Sequence, residues 1–332
     1  MIKLSIVGTN WISKSFLDSA LKIGEYEFFA LYSRTEQTAT TFCEGKFSPL
    51  IATDFDAFVN LSDLEMVYIA SPNSLHFQQA KKLVKKGISI IVEKPAFSNV
   101  KEFNEIVALS KKYDALIFEA ARHVYEENFR ILKENLRNIG EVIGGRLAYM
   151  KYSSRYDQVL AGEKPNIFSL DYSGGALMDL GIYLIYAALE LFGKPSSHKY
   201  FCQKITTGVD GIGTILFRYD TFDLTMQTGK IADASSLVEI YGSKGTLHAN
   251  SMEDIDNIWI NGHGGAKKEL ILAKPATNMT PQAEVFARLY SNRQEEGAQK
   301  EYNRLLDLAK EVHSIITDLR YQAEIIFPAD QE

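Results

Sequence analysis

The sequence predicts an α/β protein in which a doubly wound parallel sheet comes first and an α+β domain with a large, mostly antiparallel open sheet follows. In the first 120 residues, short apolar runs alternate with helix-like segments, as in right-handed βαβ units. After residue 120, successive strand-like runs are separated by turn signals. The length of 332 residues also exceeds what one core usually holds. We therefore expect domains at residues 1–120 and 121–332.

The elements of the first domain follow from its apolar runs. These are apolar nearly throughout, as expected for strands that helices cover on both faces. Gly87 is expected to end the helix before it, since glycine tolerates the left-handed conformation of a C-cap. The predicted strands are Ile2–Val7, Glu27–Ser33, Met66–Ala70, Ile88–Val92 and Ala115–Phe118. The predicted helices are Trp11–Ile23, Thr35–Cys43, Leu75–Lys86 and Val100–Lys112.

In the second domain, strands and helices no longer alternate regularly along the sequence. A helix at Tyr125–Leu136 precedes a long strand at Val142–Tyr152, and a strongly apolar helix is expected at Gly175–Phe192. From Lys199 to Leu272, strand-like runs with short turns predict an antiparallel sheet. Two helices, Pro281–Ser291 and Glu301–Tyr321, are expected to follow.

The net charge and the cysteine content limit the partners and the cellular compartment that we expect. The net charge of 36 − 42 = −6 argues against nucleic acid and anionic membranes, which favour basic surfaces. Two distant cysteines, Cys43 and Cys202, predict neither a disulfide framework nor a cysteine-rich zinc site, and they fit a reducing compartment. Neither a signal peptide nor an apolar stretch near the ~20 residues of a membrane span is apparent. We expect a cytoplasmic protein.

The first strand runs into a turn typical of dinucleotide-binding (Rossmann) domains. In such a turn, glycines let the backbone approach a pyrophosphate, which lies at the following helix N-terminus. Here Asn10 and Ser13 replace the second and third glycines; asparagine tolerates positive φ, and serine is small enough for close packing. An ordinary strand–turn–helix is the alternative. The residues expected to contact the cofactor are Gly8, Thr9, Asn10, Trp11 and Ile12.

The end of the second strand bears on the choice of cofactor. In an NAD site, a carboxylate here usually accepts a hydrogen bond from the adenosine ribose 2′-hydroxyl. This chain has Ser33 and Arg34 instead, and an arginine can pair with a 2′-phosphate. The pattern favours NADP and leaves NAD open; a solvated strand-end arginine is the alternative reading of Arg34.

A lysine follows a buried strand in the run Glu93-Lys94-Pro95. The carboxyl edge of a doubly wound sheet is where ligands bind. Pro95 is expected to set a rigid turn, cis or trans, that fixes the direction of Lys94. A snorkelling strand-end lysine is the alternative. The neighbouring strand ends on the same edge, which adds Ser71, Pro72, Asn73 and His76 to the cofactor-binding candidates, together with Glu93 and Lys94.

The apolar helix of the second domain carries two polar residues, Asp179 and Tyr183, after the start Gly174-Gly175. At a spacing of i and i+4 they share one helical face. Either residue alone is more often part of a core. Together, after a paired glycine, they indicate a site.

These segments, with Glu119-Ala120 and the closing Ile325-Ile326-Phe327-Pro328, resemble the Gfo/Idh/MocA (glucose-fructose oxidoreductase / inositol dehydrogenase) family over nearly the whole chain. Inositol dehydrogenase-like members carry His where this chain has Tyr183. With tyrosine at this position, the chain resembles the dihydrodiol dehydrogenase and glucose-fructose oxidoreductase branches of the family. The imperfect glycine turn departs from the family pattern.

The resemblance implies hydride transfer between nicotinamide and a hydroxyl or carbonyl carbon of a sugar, polyol or cyclic diol. Lys94 would bind the substrate oxygen and lower the pKa of Tyr183, Tyr183 would move the proton, and Asp179 would orient Lys94 or a substrate hydroxyl. A homodimer or homotetramer is implied as well. The loop after the first strand of the second domain supplies the expected substrate contacts, Arg155, Tyr156, Asn166 and Phe168.

Three alternatives remain at this point. A non-catalytic ligand sensor could keep the fold and the cofactor but transfer no hydride. Among enzymes, an inositol- or sugar-type dehydrogenase stands beside the dihydrodiol type. A metal enzyme ranks third, because the six histidines show no ligand spacing.

Overall fold

The computed structural model describes residues 1–235, 237–273 and 279–331. The chain forms two compact units. The first comprises Met1–Arg122 with Ala276–Lys310, and the second comprises His123–Pro275 with Glu311–Glu332.

The helices and strands alternate through the first unit, and strands dominate the second. The strands are β1 (Ile2–Val7), β2 (Tyr26–Tyr32), β3 (Leu50–Ala52), β4 (Met66–Ile69), β5 (Ser89–Glu93), β6 (Ile117–Ala120), β7 (Val142–Met150), β8 (Ser197–Lys204), β9 (Asp210–Arg218), β10 (Asp223–Gly229), β11 (Val238–Gly242), β12 (Gly245–Ala249), β13 (Ile258–Gly262) and β14 (Lys267–Glu269). The α-helices are α1 (Trp11–Lys22), α2 (Glu36–Cys43), α3 (Phe55–Val59), α4 (Asn73–Val84), α5 (Val100–Tyr113), α6 (Glu127–Asn135), α7 (Tyr156–Leu160), α8 (Ile182–Phe192), α9 (Thr280–Ser291) and α10 (Glu296–Gln322).

The first unit contains a six-stranded parallel sheet in the order β3-β2-β1-β4-β5-β6. This is the doubly wound order, and the chain reverses direction of winding between β1 and β4. The predicted parallel sheet is confirmed. Its carboxyl edge presents, side by side, the turns that follow β1, β4 and β5.

Two short elements of this unit were missed. Strand β3 has three residues, and its Leu50 and Ile51 are exposed at the edge of the sheet. Helix α3 has five residues, capped by the Asp54 side chain. Neither is long enough to establish a period of two or 3.6, so pattern analysis found no element between residues 44 and 65.

Helix α9 belongs to the first unit, although the predicted division assigned all of 121–332 to the second domain. The Tyr26 hydroxyl donates to the Ala283 carbonyl at 2.9 Å, and Phe118 stacks on Phe286 with ring centroids 4.8 Å apart. Tyr302 on α10 accepts a hydrogen bond from the Ile117 backbone at 3.1 Å. The apolar stripe of a helix predicts that it packs on something, but not on which sheet.

The second unit contains an eight-stranded sheet in the order β14-β13-β12-β11-β7-β10-β9-β8. All pairings are antiparallel except β7 with β10, which confirms the expected mostly antiparallel sheet. Alternate residues face a core: Leu224 and Met226 of β10 are fully buried, whereas Thr225 between them is exposed. This alternation is typical of a sheet that is covered on one face.

The apolar helix predicted at Gly175–Phe192 consists of two parts. A π-helical turn, Leu177–Gly181, leads directly into α8. By length and composition alone, the segment Leu170–Phe192 could cross a membrane, so the expectation that no stretch approaches that length is wrong. Its apolar window is 78% buried inside the unit, as the core helix of a folded domain would be.

Candidate active site

The turn after β1 brings the backbone against the end of β4. Gly8 has φ of +104°, and a Cβ there would lie 2.8 Å from the Ala70 carbonyl oxygen. Only glycine fits this conformation and this close approach. The first glycine of the predicted dinucleotide turn is therefore required by geometry.

Asn10 replaces a glycine without adopting a glycine conformation. Its φ of −86° is extended, so the expected use of positive φ is wrong. Instead, the Asn10 side chain caps α1: its Oδ1 accepts from the Ser13 backbone at 3.0 Å, and its Nδ2 donates to the Ala70 carbonyl at 2.7 Å. An N-cap of this kind contributes about 1 kcal/mol and leaves the remaining N–H groups of the first turn available to an anion.

A cavity of about 400 Å³ opens beside the start of α1. Trp11, 78% exposed, forms part of its wall. Lys14 lies over the rings of Phe42 and Phe47, at 5.5 and 4.9 Å. The lining residues are Thr9, Asn10, Trp11, Lys14, Thr35, Gln37, Thr38, Thr41, Phe42 and Glu44.

This cavity fits the adenosine half of a dinucleotide. An exposed aromatic ring suits adenine, and a cation with several hydroxyls suits a phosphate. Arg34 is exposed directly before the lining residue Thr35. Ser33 is buried, and its backbone donates to Ala52 at 3.2 Å, so it contributes to the strand end more than to the cavity wall. Ile12 is half-buried in the first turn of α1.

Strand β5 ends at Glu93, and Lys94 follows it at the carboxyl edge of the sheet. The buried Tyr68 hydroxyl donates to Glu93. Burial raises the pKa of Glu93, while the Tyr68 hydrogen bond and the charges of Lys94 and Arg122 lower it. Lys94 is half-buried, and the bond from Lys94 to Pro95 is cis, one of the two forms considered from the sequence. Lys94 thus lies beside an acidic neighbour whose pKa its charge lowers.

The His76 ring lies between the backbone carbonyls of two loops at this edge. Its side chain is fully buried; Nε2 lies 2.7 Å from the Ser71 carbonyl, and Nδ1 lies 3.2 Å from the carbonyls of Pro95 and Ala96. The Ala96 backbone also donates to Glu119 at 2.8 Å. This burial argues against the predicted direct contact of His76 with a cofactor, because the ring joins two loops instead. Of the same group, Ser71, Pro72 and Asn73 are half-buried at the edge.

In the second unit, Asp179 forms an ion pair with Lys230, which directly follows β10. The Lys230 side chain is 7% exposed and that of Asp179 is 23% exposed. The carboxylate is therefore the accessible member of the pair. Lys230 was not among the predicted site residues.

Tyr183 lies one turn further along the same helical segment, in α8, and is 8% exposed. Its ring contacts the Tyr149 ring edge to face at 5.4 Å and the His123 ring at 4.9 Å. His123 also hydrogen-bonds the Tyr183 carbonyl at 3.0 Å. Burial raises the pKa of Tyr149, and Glu253, Tyr183 and Asp179 raise it further, so Tyr149 is a neutral phenol. We refer to Tyr149, Asp179, Tyr183 and Lys230 as the tyrosine–aspartate cluster.

The start of this helical segment is fixed by a buried carboxylate. Asp210, 1% exposed, accepts from the Leu177 backbone and from the Tyr200 hydroxyl, both at 2.6 Å. Gly175 has φ of +118°, and a Cβ there would lie 2.2 Å from Asp210. A Cβ on Gly174 would lie 2.5 Å from the Ile167 carbonyl oxygen. Because the paired glycines carry no side chains, the start of the helical segment can approach Asp210 closely enough for the Leu177 N–H to donate to it.

The four predicted substrate residues have different surroundings. Arg155 and Asn166 are exposed, and Tyr156 is half-buried. Phe168 is fully buried in an apolar cluster with Val159 and Val209, which corrects the expectation that its ring lines a pocket. It supports the Tyr156 ring, 5.8 Å away, and lies 6.0 Å from the Lys230 ammonium.

Sequence analysis missed several residues that shape these sites. Lys230, like Lys94, directly follows a strand, but β10 was not delimited and its residues alternate between polar and apolar. Asp210 and Tyr149 belong to strands, in which polar and apolar residues ordinarily alternate, so a polar residue there does not indicate a site. The missed residues are Lys14, Tyr149, Asp210, Lys230 and Glu253.

Known proteins resemble the chain over its full length. The GFO_IDH_MocA model, described as an oxidoreductase family with an NAD-binding Rossmann fold, matches residues 2–120, and the GFO/IDH/MocA C-terminal domain model matches residues 134–248. A scyllo-inositol 2-dehydrogenase (NADP(+)) from Bacillus subtilis is 34% identical over 100% of both chains.

A trans-1,2-dihydrobenzene-1,2-diol dehydrogenase from Xenopus tropicalis is 24% identical over 78% of this chain and 79% of its own. The structure of a 3-ketoreductase from Actinomadura kijaniata, solved with NADP and TDP-benzene, has a TM-score of 0.82 at 18% identity, with 97% of each chain covered, and so shares the fold. The chain therefore belongs to the GFO/IDH/MocA family of NAD(P)-dependent oxidoreductases.

Proposed function

We propose that this protein is an NADP-dependent dehydrogenase of cyclic polyols, with an inositol as the preferred class of substrate. The tyrosine–aspartate cluster carries the proposal. It combines an accessible carboxylate with two tyrosines, and such groups suit a ligand rich in hydroxyls, because each hydroxyl needs both donors and acceptors.

The proton of the reacting hydroxyl is assigned to Lys94 and Tyr183. NADP, when bound, supplies the acceptor for the hydride that leaves the substrate carbon. The Lys94 ammonium hydrogen-bonds the substrate oxygen and stabilises negative charge on it. Tyr183 takes the proton of the same hydroxyl as a general base. Asp179 accepts a hydrogen bond from a neighbouring substrate hydroxyl.

The substrate class rests on the relatives. The match to the inositol dehydrogenase is higher and more complete than the match to the dihydrodiol dehydrogenase. Tyr183 alone favoured the dihydrodiol branch. Identity over the whole chain is the stronger argument, because it includes the loops around the cluster, so we place the inositol type first and the diol type second.

NADP is proposed over NAD on the strength of Arg34 and the cavity beside it. Replacing Arg34 with alanine is expected to weaken NADP+ binding about tenfold to a hundredfold and to leave NAD+ binding unchanged, since a charged hydrogen bond contributes about 1.5–3 kcal/mol. Tryptophan fluorescence measures this directly, because Trp11 lines the cavity. Lys22→Ala, an exposed cation at the other end of α1, is the control. Equal losses for both cofactors would contradict the assignment.

The function itself is tested by nicotinamide absorbance with a panel of substrates. We expect reduction of NADP+ with scyllo-inositol and its isomers, weaker reduction with cyclic diols and D-xylose, and little with NAD+. A protein that binds NADP+ tightly yet reduces none of it with any polyol would favour the ligand-sensor alternative.

Assembly and location are proposed with the function. Large apolar side chains are exposed on three strands of the second unit: Ile143, Phe201 and Tyr241. Ile143 and Tyr241 lie on the neighbouring strands β7 and β11, and contiguous apolar patches mark interaction surfaces, so we propose a homodimer or homotetramer, which light scattering would detect. A cytoplasmic location is proposed from composition.

A further inference from the structure

We infer that Lys230 is a positioning residue: its ammonium holds the Asp179 carboxylate ionised and oriented toward the substrate hydroxyls. This inference rests on the proposed function for its substrate. It concerns a residue outside the Lys94, Asp179 and Tyr183 set that sequence analysis identified.

The backbone of Lys230 is anchored on both sides. Its N–H donates to the Gly211 carbonyl at 2.8 Å, and its carbonyl accepts from the Ser153 N–H at 2.9 Å. These bonds extend the pairing of β10 beyond its last residue. The side chain therefore starts from a fixed point, and little conformational freedom is lost when the ammonium pairs with Asp179.

The surroundings of the ammonium favour one partner. The Lys230 side chain is 7% exposed, and the fully buried Phe168 ring lies 6.0 Å away. A buried ammonium is costly unless it is paired. Asp179 forms the ion pair, while the charge of Lys230 also lowers the pKa of the buried Asp210, against the rise that burial causes.

The two carboxylates serve different ends. Asp210 is 1% exposed and is engaged by the Leu177 backbone and the Tyr200 hydroxyl, so it fixes the helix start. Asp179 is 23% exposed, so a ligand can reach it. Lys230 pairs with the accessible carboxylate, while its charge also acts on the buried one.

The pair has a chemical consequence for the substrate. An ionised carboxylate is an acceptor only, so it selects a hydroxyl that donates to it. The charged and titratable groups near Asp179 include Lys230, which follows β10, Tyr149 from β7 and Tyr183 from α8. Glu253 acts on Tyr149, and His123 contacts the Tyr183 ring. Lys230 contributes a positive charge to this set, and its removal takes that charge from beside Asp179.

The test uses Lys230→Met, with Lys230→Arg as the conservative variant. Carboxyl carbon NMR follows the titration of Asp179, whose signal is assigned by its loss in Asp179→Asn. In Lys230→Met, the Asp179 midpoint is expected to rise by at least about one pH unit, since a close opposite charge lowers a carboxyl pKa by about 1–3 units. Lys230→Arg should restore the unaltered midpoint to within a few tenths of a unit.

Kinetics provide the second measurement. The KM for scyllo-inositol is expected to rise about tenfold in Lys230→Met, more than kcat falls, while NADP+ binding stays unchanged. Lys133→Met is the matched control, because Lys133 pairs at 2.8 Å with Glu190 of α8, the helix that continues from the turn carrying Asp179. It should change neither the midpoint nor the KM. Lys230→Gln replaces Lys230→Met if the methionine variant does not fold.

The outcomes separate the inference from the proposed function. An unchanged Asp179 midpoint, or a shifted midpoint with unchanged KM, overturns the role of Lys230. If the unaltered protein oxidises no polyol, the proposed function fails, and the NMR titration alone decides whether Lys230 holds Asp179 ionised.

Discussion

Phenylalanine at position 183 and methionine at position 94 are each expected to lower kcat for polyol oxidation by about 10²–10⁴-fold, the usual contribution of a positioned proton-transfer group. Tyr183→Phe keeps the ring that packs against Tyr149 and His123 and removes only the hydroxyl. Lys94→Met keeps an apolar stem of similar length after β5 and removes the charge. Steady-state rates with saturating NADP+ and polyol measure both effects.

Two controls match these variants. Tyr321→Phe removes an exposed hydroxyl bonded to Asp330 in the second unit, and Lys86→Met removes an exposed ammonium bonded to Asn60 in the first. Both should retain full activity. NADP+ binding by Tyr183→Phe should match that of the unaltered protein; turnover above one tenth of normal in either site variant would contradict the proton-transfer assignment.

Replacing Arg320 with methionine is expected to destabilise the second unit by about 3–5 kcal/mol, because it leaves a carboxylate buried without its cation. Arg320 is 1% exposed; its guanidinium donates to both oxygens of Asp330, at 2.6 and 2.8 Å, and to the Ile325 carbonyl at 2.6 Å. It also stacks on Phe327 at 4.1 Å. These contacts fasten the C-terminal segment to α10. Urea unfolding measures the loss.

The comparison for this prediction is Arg218→Met in the same unit. Arg218 makes a similar two-pronged pair with Asp223, but its side chain is 63% exposed, so the loss of stability should be much smaller than for Arg320→Met. The double variant of Arg320→Met with Asp330→Leu should recover part of the stability, since it removes both charges. An equal loss in the free energy of unfolding for Arg320→Met and Arg218→Met would show that burial does not determine how much such an ion pair stabilises the protein.

The sequence-based predictions were most accurate where one period dominates. The apolar runs of β1, β4 and β5, separated by amphipathic helices, predict the parallel sheet, and the end of β5 places Lys94 at its carboxyl edge. The segment from Gly174 to Tyr183 resembles a motif of the family, and this resemblance indicated the second site. These inferences need only local patterns, because neighbouring parallel strands end at the same edge.

Long-range pairings could not be predicted in the same way. Lys230 lies 51 positions from Asp179, and Asp210 lies 33 positions from Leu177. No local period links such residues, so the ion pair and the helix cap become visible only once β9 and β10 are placed. His76 illustrates the opposite error: it lies in a motif at the ligand-binding edge, yet burial assigns its ring to backbone carbonyls.

Deuterium transfer tests the central claim most directly. The purified protein is incubated with NADP+ and scyllo-inositol that carries deuterium on every ring carbon, and the nicotinamide product is analysed by mass spectrometry. We predict reduced NADP that contains one deuterium, with its formation abolished in Tyr183→Phe. Tight binding of NADP+ without any labelled product, across inositols and cyclic diols alike, would contradict the account.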